Sequence, residues 1–108
     1  MTSQTPEVDV DQLAAAVDAG GASLVDVRER AEYAQAHVPG ARLIPMGHLA
    51  ARLDELDRGS PVYVICASGN RSSAMTDLLR AQGFDASSVA GGTQAWISSG
   101  RTVEAGLS

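Results

Sequence analysis

The chain has 108 residues, of which 44% are apolar, 19% charged and 4% aromatic, a balance that describes one ordinary domain with no room for a second independent core. Its one cysteine, Cys66, excludes an internal disulfide and a four-thiolate metal site. Eight basic residues, all of them arginine, stand against thirteen acidic ones; the formal charge of -5 opposes the attraction that nucleic acid or anionic lipid requires, and the lack of lysine removes Schiff-base chemistry and lysine-dependent phosphate loops.

The opening MTSQTPEVDVDQ has neither a basic leader nor an apolar run, and no stretch approaches the roughly 20 apolar residues of a membrane span. Cytoplasm is the expected location. Residues 1–6 read as a flexible tip, 7–100 as the folded domain and 101–108 as a loose tail. Val10, Leu13, Ala14 and Val17 repeat at helical spacing behind Asp9, which pairs with Gln12 as a cap, and Gly20 closes that helix. Ser23 to Val27 is a short apolar strand, followed by the helix-compatible RERAEYAQA, a turn at Pro39-Gly40 and an extended piece, ARLIPM. Leu49, Leu53 and Leu56 then line one face of a further helix.

PVYVIC, ending at Cys66, is the most strand-like window, and its apolar continuity predicts burial on both faces of a parallel sheet. SSAMTDLLRAQG follows as a helix with Met75, Leu78 and Leu79 on one face, a serine-rich start suited to capping and Gly83 as its stop. Ala86 to Ala90 reads as a last strand and Thr93 to Ser98 as a last helix carrying Trp96. Strands alternating with helices at this spacing predict an open α/β sheet with mainly parallel strands.

Such sheets place ligand chemistry beyond the carboxyl ends of their strands, where CASGNRS begins. Gly69 and Asn70 are the residue types that most readily take positive φ, so the loop can curl its backbone N–H groups inward as an anion-binding nest. The positive end of the next helix points to the same place. A free thiol with pKa about 8.5 is only about 3% ionised at pH 7, and the thiolate is the nucleophile; this loop, with Arg71 adding a full charge, would raise the ionised share. PVYVIC alone fits an inert, buried thiol equally well. The glycine, asparagine and arginine packed between strand and helix favour a functional Cys66.

Four segments resemble the rhodanese family of sulfurtransferases. LVDVRERAEY is similar to the family's first signature, AHVPGARLIP to its GHIPGAxNIP segment, CASGNRS to its CxxGxR active-site loop and VAGGTQAW to its C-terminal GGxxAW, in the family's order from Val8 to about Gly100. The resemblance implies a single rhodanese-like domain of the α/β class, with a five-stranded, mainly parallel sheet flanked by helices on both faces. It implies catalytic roles for Cys66 as sulfur carrier and Arg71 as electrostatic helper, and a substrate cradle made by the backbone of Ala67, Ser68, Gly69, Asn70 and Ser72. The implied partners are a small anionic sulfur donor such as thiosulfate and a thiol, cyanide or protein acceptor, with no metal or organic cofactor, in a monomer or weak homodimer.

Other readings are a non-catalytic module of the same family that binds a partner or relays persulfide, and a phosphatase or arsenate reductase. The latter enzymes of this fold class use five residues between cysteine and arginine, whereas here only Ala67, Ser68, Gly69 and Asn70 intervene. The chain departs from the family pattern at Ala67, where an arginine or bulky residue is frequent, and at Ala36 and Leu43, where glycine and asparagine are usual. Asp26 and Arg28 read as a polar clamp, and His37 and His48 as structural, since two histidines without clustered carboxylates or thiols make poor metal evidence.

Overall fold

The computed structural model describes residues 5–107. Most of the expected N-terminal tip, residues 1–4, lies outside the described residues, as does Ser108. The elements run β1 (Glu7–Val8), α1 (Val10–Ala19), β2 (Ser23–Asp26), α2 (Arg30–Gln35), β3 (Arg42–Leu43), two 3-10 turns (Met46–Ala51 and Leu53–Glu55), β4 (Val62–Ile65), α3 (Asn70–Ala81), β5 (Ala86–Val89) and α4 (Gly92–Ser98). The five strands form one sheet in the order β1-β5-β4-β2-β3, and every pairing is parallel. This is the α/β architecture that the alternation predicts.

Sheet and helices cover each other because the strand residues alternate between two apolar clusters. Val62, Val64 and Cys66 face one cluster with Leu49, Leu79 and Phe84, against which Met75 and Leu78 of α3 also pack. Ile65 and Tyr63 face the other, with Leu13 of α1, Tyr33 of α2 and Trp96 of α4. Val25, Val62, Val64 and Ile65 are fully buried, each contributing roughly 1.5–3 kcal/mol relative to exposure. Central β4 therefore reads as a continuous apolar run with a sheet neighbour on each side. At the start of α1, Gln12 N–H donates to Asp9 Oδ1 at 2.7 Å and Asp9 N–H donates to Gln12 Oε1 at 2.8 Å, the reciprocal cap that the sequence predicts.

Three local features differ from the sequence expectation. The leucine spacing predicts a helix through Leu49, Leu53 and Leu56, but the segment winds as two 3-10 turns broken at Arg52, with Arg52 N–H on the Leu49 carbonyl and Leu56 N–H on that of Leu53. Leu49 and Leu56 are still buried, because hydrophobic spacing selects the face without fixing the winding. β1 has too few residues to show a period of two. It exists through partners: Ser88 N–H donates to the Pro6 carbonyl at 2.9 Å and Ala90 N–H to that of Val8 at 2.8 Å.

The segment after Gly100, read as a loose tail, returns across α2. His37 and Glu104 exchange backbone hydrogen bonds of 2.8 and 2.9 Å, Gly106 N–H reaches the Ala34 carbonyl at 2.8 Å, and Val103 packs on the second cluster. No helix among the described residues is long and apolar enough to cross a membrane.

Candidate active site

Cys66 follows β4 directly, at the carboxyl end of the central strand, and α3 begins only four residues later at Asn70. The connecting loop is therefore Ala67, Ser68 and Gly69. Its sharp reversal rests on Gly69, whose φ of 114° lies where residues with a Cβ are strained. Asn70, expected to share that role, is instead the first helical residue, and among the described residues no non-glycine residue has a positive φ. The helix is capped by Gly69 without a side-chain hydrogen bond, so the serines at its start do not cap it.

Ser72 turns back toward the cysteine instead. Gly69 N–H donates to Cys66 Sγ at 3.1 Å and Ser72 N–H donates to it at 3.3 Å, while Ser72 Oγ lies 3.4 Å from the sulfur. Cys66 itself is 1% exposed. That burial pushes its pKa up, but the Ser72 hydroxyl and the N–H groups of Ser72, Gly69 and Ser68 outweigh it, leaving the thiol more acidic than an ordinary cysteine. Gly69 and Ser72 thus aim their N–H groups at the sulfur, and the Ser68 N–H adds to its acidity. No hydrogen bond joins the sulfur to Ala67, Asn70 or Arg71 among the described residues.

Arg71 points across to α2, where its two terminal nitrogens donate to Glu32 Oε1 and Oε2 at 2.7 and 2.8 Å. The Arg71 guanidinium holds the Glu32 carboxyl down at about 2, against an ordinary value near 4.5. Arg71 is held in its charged form chiefly by its hydrogen bonds to Glu32. Sequence reasoning single-handedly missed Glu32, although it stands in the LVDVRERAEY segment. At the end of β2, Arg28 and Asp26 form the buried clamp expected of them, with Arg28 Nη2 donating to Asp26 Oδ2 at 2.8 Å and to the Ala36 carbonyl at 2.7 Å.

A second missed residue is Thr93. Its N–H and hydroxyl donate to the Cys66 carbonyl at 2.8 and 3.1 Å, and Gln94 N–H donates to the Ala67 carbonyl at 3.1 Å. The start of α4 therefore grips the peptide that carries the nucleophile. This approach requires Gly92: a Cβ there would collide with the Cys66 carbonyl oxygen and come within 2.7 Å of that of Ala67. A cavity of about 190 Å³ opens beside Ala67, bounded by Arg28, Glu32, Thr93, Gln94 and Ile97. A larger depression of about 550 Å³, holding Arg30, Arg42, Arg52 and His48, is lined by none of residues 66–72.

His37 stacks on Tyr33 with ring centroids 3.6 Å apart and sets Nδ1 2.8 Å from the Tyr33 carbonyl, a structural position. Trp96 is buried in the second cluster and donates from Nε1 to the Thr102 carbonyl at 2.9 Å. Among the described residues no three His, Cys, Asp or Glu side chains gather into a metal-holding group.

Comparison with known proteins places this geometry in a family. The Rhodanese-like domain model matches residues 9–99. The chain is 37% identical over 83 residues to the Bacillus subtilis protein named "Putative sulfur carrier protein YrkF", covering 76% of this chain and 45% of that one. It is 40% identical over 73 residues to "Putative sulfurtransferase YtwF" of the same organism, covering 68% and 71%. The chain thus spans less than half of the first relative. Among solved structures, a rhodanese-related protein from Thermoplasma volcanium superposes with a TM-score of 0.86 at 30% identity, over 95% of this chain and 99% of that one. A thiosulfate sulfurtransferase from Pseudomonas aeruginosa gives 0.87 at 32% identity, over 94% of this chain and 20% of that one. Matched along nearly its whole described length, the chain belongs to the rhodanese-like domain family.

Proposed function

We propose that the protein is a sulfurtransferase in which Cys66 carries a sulfane sulfur, as a persulfide, from a small anionic donor such as thiosulfate to a thiol, cyanide or protein acceptor. The observation that carries this reading is the pair of N–H groups from Gly69 and Ser72 converging on Cys66 Sγ at the start of α3. They stabilise negative charge on sulfur without a counter-ion in contact, and the helix dipole adds to them.

In the first step the Cys66 thiolate attacks the outer sulfur of thiosulfate. A new S–S bond forms, the sulfur–sulfur bond of the donor breaks, and its electron pair leaves on sulfite. In the second step an external thiolate or cyanide attacks the outer sulfur of the persulfide and Cys66 departs as thiolate. Charge balances in both steps and no redox partner is consumed. The backbone of Ala67, Ser68, Gly69, Asn70 and Ser72 holds the outer sulfur and the anionic part of the donor. Arg71 supplies positive charge beside them, with Glu32 fixing its direction. With no second cysteine in the chain, the acceptor comes from outside it. The name of YrkF, a sulfur carrier, is compatible with a protein acceptor.

Incubation with thiosulfate should add one sulfur atom to the intact mass, cyanide should remove it as thiocyanate, and Cys66→Ser should take up none. An unmodified wild-type mass under saturating donor overturns the proposal.

A further inference from the structure

Ser88 is the third residue of β5 and shares with Ala86 the face that packs on α3. Val64 of β4 lies beside it on that face and Glu7 of β1, itself exposed, is its register partner on the other side, while Ser88 is fully buried. A buried hydroxyl is costly unless bonded. Among the described residues the Ser88 hydroxyl has one partner, Ser72 Oγ at 2.8 Å. Ser72 Oγ in turn lies 3.1 Å from the Gly69 carbonyl oxygen and 3.4 Å from Cys66 Sγ.

Counting protons fixes the direction of this chain. A serine hydroxyl has one proton to give, and both a carbonyl oxygen and a thiolate only accept. The Ser72 proton therefore goes to Gly69 while Cys66 is a thiol and swings to Sγ once Cys66 is ionised. In either state the Ser88 proton is directed at Ser72 Oγ. A hydroxyl that accepts a hydrogen bond is a stronger donor, and the low-dielectric surroundings magnify the gain.

We propose that Ser88, outside the loop and on the neighbouring strand, is a positioning residue for the nucleophile: its hydroxyl donates to Ser72 Oγ and so turns the Ser72 proton onto the Cys66 thiolate. In the persulfide the charge has moved to the outer sulfur and Sγ no longer needs that proton. The pair consequently favours the free thiolate over the loaded state and assists sulfur release. This assignment rests on the sulfur-transfer reading for its purpose, although not for its geometry. Of the other charged groups around this site, Arg71 with Glu32 from α2 and Arg28 with Asp26 are tied in pairs; these and the exposed Glu7 of β1, beside Ser88 in the sheet, stay the same in every variant below.

The test is the pH dependence of Cys66 alkylation by iodoacetamide, together with sulfur uptake from thiosulfate and thermal unfolding. Ser88→Ala removes one oxygen and adds no volume. It should raise the alkylation midpoint by about half a pH unit, slowing the reaction about threefold on the acid side of the midpoint. Ser72→Ala should raise it further, and Ser88→Ala should add nothing in that background. Ser88→Thr, which keeps the hydroxyl, should restore the wild-type midpoint. A Ser88→Ala midpoint equal to wild type, or an equal shift with and without Ser72, overturns the assignment. Alkylation reads the thiolate whether or not sulfur moves. A wild-type protein that shows this pattern and takes no sulfur supports the Ser88 assignment and overturns the transferase reading.

Discussion

Glu32 shows how one side chain acts at two levels. It joins α2 to the start of α3 through Arg71, and it fixes the only guanidinium carried by the helix turn that faces Cys66. Its carboxyl titrates at about 2 in the folded protein and near 4.5 when unfolded, so the unfolded chain takes up the proton first. The stabilisation is fully present above the unfolded value and is lost as the pH falls from about 4.5 toward about 2. Glu32 is 36% exposed, and solvent screening reduces the contribution to about 1 kcal/mol. Glu32→Gln should thus be less stable than wild type by about that amount at neutral pH, with the difference closing in acid. Urea unfolding of both proteins at neutral pH and at about pH 3 measures it; a gap that stays constant would mean that the pair contributes nothing through charge.

At the scale of elements, the join between the β4 loop and α4 is the most constrained feature of the site. Gly92 has a φ of 57° and no space for a Cβ, because α4 begins against the Cys66 and Ala67 carbonyls. Gly92→Ala must push α4 off that peptide and break the bonds from Thr93 and Gln94. It should destabilise by roughly 2–4 kcal/mol and impair sulfur uptake in the folded fraction. Gly100→Ala is the matched control, since Gly100 also has a positive φ of 84° but open space around it, and should cost only about 1 kcal/mol with uptake intact. Equal effects of the two substitutions on uptake would refute the steric account. The central strand and the place of Cys66 at its carboxyl end were legible in the sequence, because local propensity and burial agree there. What Gly92 leaves room for was not legible, since that depends on the carbonyls of Cys66 and Ala67, 26 and 25 residues away in the chain. The same holds for Ser72, whose place suggested a cap and whose hydroxyl is drawn to sulfur, and for the 3-10 winding of 46–55, where spacing is silent on pitch.

Across the whole molecule, an all-parallel sheet must be covered on both faces, and the second face is closed in part by the chain after Gly100. That segment satisfies the buried Trp96 indole through Thr102, pairs Glu104 with His37, caps the Ala34 carbonyl with Gly106 and adds Val103 to the apolar cluster. It touches α2, which bears Glu32, but none of the atoms bonded to Cys66 Sγ. Removal of residues 101–108 should therefore separate stability from chemistry. At about 0.5–1 kcal/mol for each of these four net hydrogen bonds, truncation should cost about 2–4 kcal/mol. For a domain near this size, each 1 kcal/mol lowers Tm by about 4–8 °C, so a fall of about 8–32 °C follows. Well below the new Tm, the alkylation midpoint of Cys66 should match that of the full chain, because its Gly69 and Ser72 donors are intact. Thermal unfolding and alkylation of the two forms decide the matter: an unchanged Tm would show that the returning segment contributes no net stability, and a raised midpoint at a temperature where both are folded would show that α2 transmits its position to the thiolate.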